Sequence, residues 1–138
     1  MIRVVVDTNV IVSALLHSGS LPEAVLNLAF SSNIRWIASE PILAEYEEVL
    51  QRPRLAINSA KAADAITKIR ACVSLVAPSL RINATSDPDD NIFLECAQAG
   101  DADYIVTGNT RHFPKTWQNT KVVTPRELID SWTAAPDD

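Results

Sequence analysis

The chain has 138 residues, of which 47% are hydrophobic and 21% are charged, the proportions of a soluble globular protein. Its formal net charge of −5 excludes a uniformly basic surface for nucleic acid, although acids gathered in one cation-binding pocket would leave the rest of the surface mixed. No apolar stretch approaches the ~20 residues that span a membrane, and the N-terminus does not have the pattern of a signal peptide.

This length predicts one domain over residues 1–133, with residues 134–138 as a frayed tail. Cys72 and Cys96 are far apart and belong to no CxxC pattern. We expect free thiols in a reduced cytoplasm rather than a disulfide, and therefore a cytoplasmic protein.

Buried strands alternate with amphipathic helices along the chain. The apolar run that ends at Val6 is rich in β-branched residues, which is typical of a strand buried on both faces. Apolar spacing, prolines and capping residues predict the other elements. They are helices over about 9–17, from Pro22, from Ser39 to about Gln51, over 59–73, from Asp87 to about Gly100 and from Thr124 to about Trp132, strands at 35–38, 75–77, 103–107 and 121–124, and a polar loop at 81–86. This alternation predicts an α/β fold, a parallel sheet with helices on both faces.

Asp7 follows the first strand directly and is flanked by apolar runs. In open α/β sheets, ligands bind beyond the carboxyl ends of the strands. A buried strand would hold the Asp7 carboxylate rigidly at that edge. We therefore take Asp7 as the first residue of a candidate active site.

The helix that follows Ser39 offers a second acid. At about 100° per residue, Glu45 and Glu47 flank its apolar stripe on opposite sides, whereas Glu48 points away from it. The pattern permits either Glu45 or Glu47 as an acid that leans toward the site. The alternative is that all three glutamates form a solvated face.

Two further segments carry polar groups toward the same region. In Asp87-Pro-Asp-Asp90, Asp87 is suited to cap the next helix, and capping alone would explain an acid there. Three acids in four residues exceed what a cap needs, so Asp90 is free to face the cleft. Thr107-Gly108-Asn109 follows the strand at 103–107, where an ordinary turn is the alternative.

Taken together, these segments indicate a metal site. Clustered carboxylates without nearby Lys or Arg are unfavourable unless a divalent cation neutralises them. Oxygen ligands suit Mg²⁺ or Mn²⁺, and such ions ionise water and stabilise the charge of a phosphodiester transition state. The sequence therefore predicts metal-dependent phosphodiester hydrolysis.

Four motifs, VVVDTNVIVSALL, LAEYEEVL, DPDDNIFLECA and YIVTGNTRHFP, resemble those of the PIN-domain family in sequence and order. The chain is most similar to its VapC-like ribonucleases, the toxins of bacterial toxin–antitoxin systems. The resemblance implies a parallel α/β/α sandwich, Mg²⁺ or Mn²⁺, endoribonuclease activity on RNA, inhibition by a small antitoxin protein, and a homodimer.

The resemblance also assigns residues. Asp7, Glu45 and Asp90 match the family's three metal-binding acids, which favours Glu45 over Glu47. Asn9 and Thr107 match the polar residues beside them. We expect Asp7 and Asp90 to bind the ion directly, with Glu45 holding a metal-bound water or a second ion, and cleavage to leave a 3′-hydroxyl and a 5′-phosphate.

The chain departs from the family pattern at Asn109, where many members carry a fourth aspartate. An amide supplies no charge, so a second metal site is in doubt. The neighbouring Asp89 is expected to point elsewhere on its helix. Arg111 is a candidate for binding substrate phosphate, or a surface charge, and His112 is expected to pack beside Phe113.

Two other functions fit parts of the pattern. A phosphatase-like hydrolase would use Asp7 as a phosphorylated nucleophile, but such enzymes usually carry a second acid two residues on, where this chain has Asn9. A degenerate nuclease scaffold, marked by Asn109, would bind RNA or a partner protein without cutting.

Overall fold

The computed structural model describes residues 1–85 and 87–134 of the chain. Over these residues the chain forms six strands and six α-helices, with 3-10 turns at Pro53–Leu55 and Thr110–His112. The strands are β1 (Arg3–Val6), β2 (Arg35–Ala38), β3 (Ser74–Leu75), β4 (Tyr104–Val106), β5 (Thr116–Trp117) and β6 (Thr120–Val123). The helices are α1 (Thr8–Leu16), α2 (Leu21–Phe30), α3 (Glu40–Leu50), α4 (Ser59–Cys72), α5 (Pro88–Gly100) and α6 (Pro125–Ala134).

The six strands form one sheet in the order β3-β2-β1-β4-β6-β5. Every neighbouring pair is parallel except β5 and β6, which are antiparallel. From β1 the chain builds the sheet outward through β2 and β3 and then returns to the other side of β1 with β4. The strand order therefore reverses between β1 and β4, which is the point where a ligand crevice opens at the carboxyl ends of the strands.

The helices lie on both faces of this sheet. Helix α5 packs against β1, β2 and β4, while α2 packs against α1, α4 and α6. Because crossovers between parallel strands are almost always right-handed, the outward path through α1 to α4 and the return path through α5 lie on opposite faces. The predicted α/β fold, an α/β/α sandwich around a mostly parallel sheet, is confirmed.

The first strand is the centre of the core, as its composition predicts. Val4, Val5 and Val6 are completely buried, and β1 has a parallel neighbour on each side. Val6 pairs with Val106, so β1 and β4 end level with one another. The residues that follow, Asp7 and Thr107, are thereby brought side by side at one edge of the sheet.

Several predicted boundaries were wrong. The strand expected at 75–77 is β3 at Ser74–Leu75, because its only neighbour, β2, ends at Ala38, which pairs with Leu75. Strand β5 was not predicted at all. It has two residues, and its turn to β6 places Gln118, rather than a glycine, at a left-handed φ of 52°.

The last helix extends past Trp132 to Ala134, and the other residues of the predicted tail, 135–138, lie outside the described residues, as does Ser86 of the predicted polar loop. Thr124 and Glu127 form the predicted capping box, with reciprocal bonds of 3.1 Å. Cys72 and Cys96 are free thiols, as expected. Among the described residues, no helix has the length and apolarity to cross a membrane.

We expect Gly100→Ala to destabilise the protein. A Cβ at the last residue of α5 would lie 2.5 Å from Cγ2 of Ile37, which is fully buried on β2. Overpacking of this kind costs about 1–3 kcal/mol, more than alanine gains from its helix propensity. Urea denaturation measures the difference.

Gly108→Ala is the matched control for Gly100→Ala. Its Cβ would meet nothing closer than 3.7 Å, so its free energy of unfolding should stay within about 0.5 kcal/mol of wild type. A Gly100→Ala protein as stable as this control would contradict the tight packing of α5 on β2.

Candidate active site

The site is built around the Asp7 carboxylate. Asp7 is the N-cap residue of α1, but its side chain makes no capping hydrogen bond. Instead Thr107 donates its hydroxyl proton to Oδ2 of Asp7 at 2.7 Å, and the same hydroxyl accepts the N–H of Asn109 at 3.0 Å. Thr107 is fully buried and Asp7 nearly so. The carboxylate is therefore held from the neighbouring strand in one orientation.

A second bond joins the segments that follow β1 and β4. The N–H of Gly108 donates to Oδ1 of Asn9 at 3.2 Å. Asn9 thus binds the start of α1 to the loop after β4, beside the contact between Asp7 and Thr107. Both bonds span about a hundred residues of sequence and keep the two strand ends together.

Helix α3 brings Glu45 to the same edge. Thr8 donates its hydroxyl proton to Oε2 of Glu45. The adjacent residue, Tyr46, is fully buried and donates its hydroxyl to the carbonyl of Val6, the residue just before Asp7. These two hydrogen bonds hold this turn of α3, and with it Glu45, against the end of β1.

The two glutamates that follow Glu45 on α3, Glu47 and Glu48, have other partners. Glu47 accepts two hydrogen bonds from Arg70 of α4, the shorter at 2.8 Å. Glu48 pairs with Arg52 at 2.8 Å on the exposed side of the helix. The choice that the helical pattern left open, between Glu45 and Glu47, is resolved by the structure in favour of Glu45 at this edge.

The start of α5 contributes the third acid. Asp87 caps the helix by accepting the N–H of Asp89 at 2.9 Å, the role that its position predicts. The side chain of Asp90 is 16% exposed, and its Oδ2 lies 3.8 Å from Nδ1 of His112. Asp87 therefore caps the helix, and Asp90 is the acid beside His112.

These groups line one open cavity of ≈ 440 Å³. Its walls carry the predicted site residues at the strand ends, on α3 and on α5, together with residues that sequence reasoning did not assign. The lining residues that the sequence analysis named include Asp7, Asn9, Glu45, Asp90, Asn109 and His112. Thr8, Arg52 and Arg54 also line the cavity, although the sequence analysis gave them no role.

One expectation about this cavity was wrong. Asp89 was expected to point elsewhere on α5, yet it lines the cavity together with Asp87 and Asp90. In the first turn of a helix the side chains of neighbouring residues can reach the same opening, since no preceding turn lies between them. Asp89 therefore adds a further negative charge close to Glu45.

A second cavity lies beside the first and shares lining residues with it. Arg111 lines this second cavity of ≈ 500 Å³ rather than the first, together with Thr85, Phe113 and Pro114. Asp87, Asp90 and His112 line both. His112 is exposed beside Asp90, so the expectation that it packs beside Phe113 was wrong. Phe113 is buried and packs edge-on against Phe93 instead.

Burial raises the pKa values of the three carboxylates, and neighbouring acids add to this at Glu45 and Asp90. Burial, opposed by the Thr107 hydrogen bond, raises the pKa of Asp7. Burial and the charges of Asp7, Asp89 and Asp90 raise the pKa of Glu45 to about 7. Burial and the charges of Asp7 and Asp87 raise the pKa of Asp90 to about 6. The cluster therefore holds negative charges at neutral pH that its surroundings do not compensate.

This donor set fits a hydrated divalent cation. Among the described residues, no Lys or Arg forms an ion pair with Asp7, Glu45 or Asp90. Within the same residues, no three His, Cys, Asp or Glu side chains are grouped so as to hold one ion by themselves. Mg²⁺ usually keeps several waters and binds through one or two carboxylates, an arrangement that these residues can supply.

We expect the metal-free protein to lose stability as the pH rises from 5 to 8. Glu45 and Asp90 have pKa values of about 7 and about 6 in the folded protein, above the values of 4.5 and 3.8 that are usual for these side chains in water. Between these values the folded protein keeps protons that the unfolded chain has released, so raising the pH favours unfolding. Urea midpoints in EDTA at the two pH values measure this loss.

The control is a Glu45→Gln/Asp90→Asn protein, which cannot release these protons and should lose less stability over the same range. Added Mg²⁺ should restore part of the wild-type loss at pH 8. If both proteins show the same pH dependence, the electrostatic description of the cluster is wrong.

Comparisons with known proteins agree with this architecture. Residues 3–111 match the family described as PIN domain, a span that includes Asp7, Glu45, Asp90 and Thr107. The chain is 30% identical to the uncharacterized protein MJ1680 of Methanocaldococcus jannaschii, and the similarity covers 95% of this chain and 92% of that protein.

Solved structures share the fold at low sequence identity. VapBC2 from Rickettsia felis, bound to a DNA fragment from its promoter, matches with a TM-score of 0.55 and 16% identity over 89% of this chain and 98% of that one. FitAB bound to the IR36 DNA fragment matches with a TM-score of 0.56 and 14% identity over 88% and 94%. The RRP44 PIN domain of T. brucei matches with a TM-score of 0.52 and 11% identity over 96% and 81%.

PIN domains are generally nucleases. The family match covers most of the chain, and the polar residues at the strand switch point lie within it. The chain belongs to the PIN-domain family.

Proposed function

We propose that this protein is a metal-dependent endoribonuclease and the toxin of a type II toxin–antitoxin pair in the cytoplasm. The observation that carries the proposal is the cluster of Asp7, Glu45 and Asp90, three carboxylates without a Lys or Arg partner among the described residues, at the strand switch point. Family membership supports nuclease chemistry, and the carboxylate cluster supports its dependence on a cation.

Asp7 and Asp90 are the residues that would hold Mg²⁺ or Mn²⁺, with Glu45 beside them. When bound, such an ion supplies Lewis-acid stabilisation of the charge that develops on the phosphodiester and lowers the pKa of water. The residues of the chain position the reacting groups around it. Thr107 holds the Asp7 carboxylate in place through its hydroxyl, and Asn9 keeps the loop after β4 against α1.

Glu45 is suited to orient the attacking water and accept its proton. It lines the cavity together with Asp7 and Asp90, and a carboxylate positioned beside the attacking water can act as its general base. The Thr8 hydroxyl fixes one of the carboxylate oxygens of Glu45. In-line attack on phosphorus then breaks the bond to the 3′ oxygen and leaves a 3′-hydroxyl and a 5′-phosphate.

The partner proposed for this chain is a cognate antitoxin protein. Two structures that share its fold are VapBC2 and FitAB, each bound to DNA. A homodimer is part of the same proposal. With an antitoxin bound, such a complex would gain the contacts to DNA that an acidic protein of net charge −5 does not offer by itself.

A binding scaffold without activity is the second candidate, because Asn109 stands where many family members carry a fourth acid. Asn109 lines the cavity, and its N–H is bound to Thr107. The phosphatase-like alternative is less well supported, since the residue two positions after Asp7 is Asn9, whose amide oxygen accepts the N–H of Gly108.

We expect Glu45→Gln to lower RNA cleavage by about 10²–10⁴-fold, since it removes the proton acceptor while keeping the shape of the side chain. Asp7→Asn should abolish cleavage. Purified proteins are compared on pooled cellular RNA with Mn²⁺, with Mg²⁺ and with EDTA.

Glu47→Gln is the matched control, because Glu47 lies on the same helix, is also partly buried and pairs with Arg70 instead of facing the cavity. It should cleave like wild type. Equal loss in Glu45→Gln and Glu47→Gln would point to damage to α3 rather than to catalysis. Full activity in a folded Asp7→Asn protein would contradict the assignment of Asp7 to the catalytic site.

We expect Asn109→Asp to lower the Mn²⁺ concentration required for half-maximal cleavage, since it adds a carboxylate to the cavity wall. The same substitution should destabilise the metal-free protein at pH 8 by adding to the repulsion within the cluster. A metal titration and a urea denaturation in EDTA measure the two effects. An unchanged metal requirement would show that position 109 does not act on the bound ion.

A further inference from the structure

Two arginines that line the cavities around the carboxylate cluster lie in similar local structures. Arg54 is the middle residue of the 3-10 turn Pro53–Leu55, and Arg111 is the middle residue of the 3-10 turn Thr110–His112. Arg54 lines the cavity that contains Asp7, and Arg111 lines its neighbour. Asp87, Asp90 and His112 line both cavities, so the two adjoin, and together they are called the groove below.

Both turns are closed by backbone hydrogen bonds. In the first, the N–H of Leu55 donates to Arg52 at 3.1 Å and that of Ala56 to Pro53 at 3.0 Å. In the second, the N–H of His112 donates to Asn109 at 3.0 Å and that of Phe113 to Thr110 at 3.3 Å. Each arginine therefore belongs to a segment whose backbone is held by its own hydrogen bonds.

These two guanidinium groups are available to a ligand. Neither Arg54 nor Arg111 forms an ion pair or a side-chain hydrogen bond within residues 1–85 and 87–134, and both are exposed. The third arginine of the groove, Arg52, is held by Glu48 through bonds of 3.2 and 2.8 Å. The groove therefore carries two uncommitted cations, one in the cavity that contains the carboxylate cluster and one in its neighbour.

This arrangement suits a polyanion that crosses the cluster. Carboxylates repel the phosphates on either side of the one that is cut, and a protein of net charge −5 has no general attraction for RNA to offset that repulsion. Guanidinium groups in both cavities would provide local attraction for phosphates of the strand. Phe113 is buried, so its ring is not available for base stacking in the second cavity. The strand would therefore contact this cavity through its phosphates.

We propose that Arg54 and Arg111 hold the backbone phosphates of a single RNA strand on the two sides of the cleaved bond. The inference rests on the proposed ribonuclease function and adds to it which residues bind the strand and how few phosphates they contact. Two contacts are far fewer than a basic RNA-binding surface makes. Affinity should therefore depend weakly on salt, with a slope of log K against log[salt] of about −1.4, at about −0.7 per neutralised phosphate of a single strand.

The experiment measures binding and cleavage separately. Binding of a fluorescent single-stranded oligoribonucleotide is titrated in Mn²⁺ at several salt concentrations on the Glu45→Gln background, where cutting is slowed by about 10²–10⁴-fold. Arg54→Gln and Arg111→Gln are added one at a time. Each should weaken binding on the order of tenfold and reduce the slope by about 0.7, and the double variant should abolish the salt dependence. In active enzyme, each should raise KM with little change in kcat.

Arg35→Gln is the control for the loss of one positive charge. Arg35 begins β2 at the edge of the sheet opposite Asp7, where its guanidinium bonds to Ser74 at 3.1 Å. It should leave both the affinity and the salt slope unchanged.

The outcomes separate the two proposals. Equal affinities and slopes for the Arg54, Arg111 and Arg35 variants, or no RNA binding by the Glu45→Gln protein, would overturn the two-ended groove. If the arginine variants weaken binding as expected but wild type cuts no RNA with either metal, the groove stands and the nuclease proposal fails.

Discussion

The hydrogen bond from Thr107 to Asp7 is the contact on which the site depends. It joins two residues that are a hundred positions apart and places a carboxylate among buried groups, where the bond offsets part of the cost of its charge. It forms only because β1 and β4 are parallel neighbours that end level with one another. The position of the Asp7 carboxylate is therefore a direct consequence of the sheet topology.

The cluster illustrates how a binding site opposes folding. Burial raises the pKa values of all three acids, and repulsion from neighbouring carboxylates adds to the shift at Glu45 and Asp90, so the metal-free fold carries an electrostatic cost at neutral pH. The fully buried core around β1 and the long-range bonds of Thr8, Asn9 and Tyr46 offset that cost. A cation bound by this cluster would add its binding free energy to the stability of the fold.

Much of this could be read from the sequence, and the limits have physical reasons. The buried run before Asp7, the cap at Asp87 and the box at Thr124 are local patterns, and each is found in the structure. Glu45 and Glu47 are equivalent on a helical wheel, and only the neighbouring elements separate them, since Arg70 takes one and Thr8 the other. Helical periodicity contains no information about those partners, so the distinction required tertiary structure or family resemblance.

The distance in sequence between Asp7 and Thr107 has a further consequence, which concerns time. A ribosome adds about 5–20 residues per second, so Asp7 is added to the chain roughly 5–20 s before Thr107. Until β4 docks beside β1, the N-terminal acid has neither its hydroxyl partner nor Asp90 in place. A chain that cuts RNA would thus remain harmless to its own message while most of it is being synthesised. Its activity would begin only once the strand that carries Thr107 is free to pair.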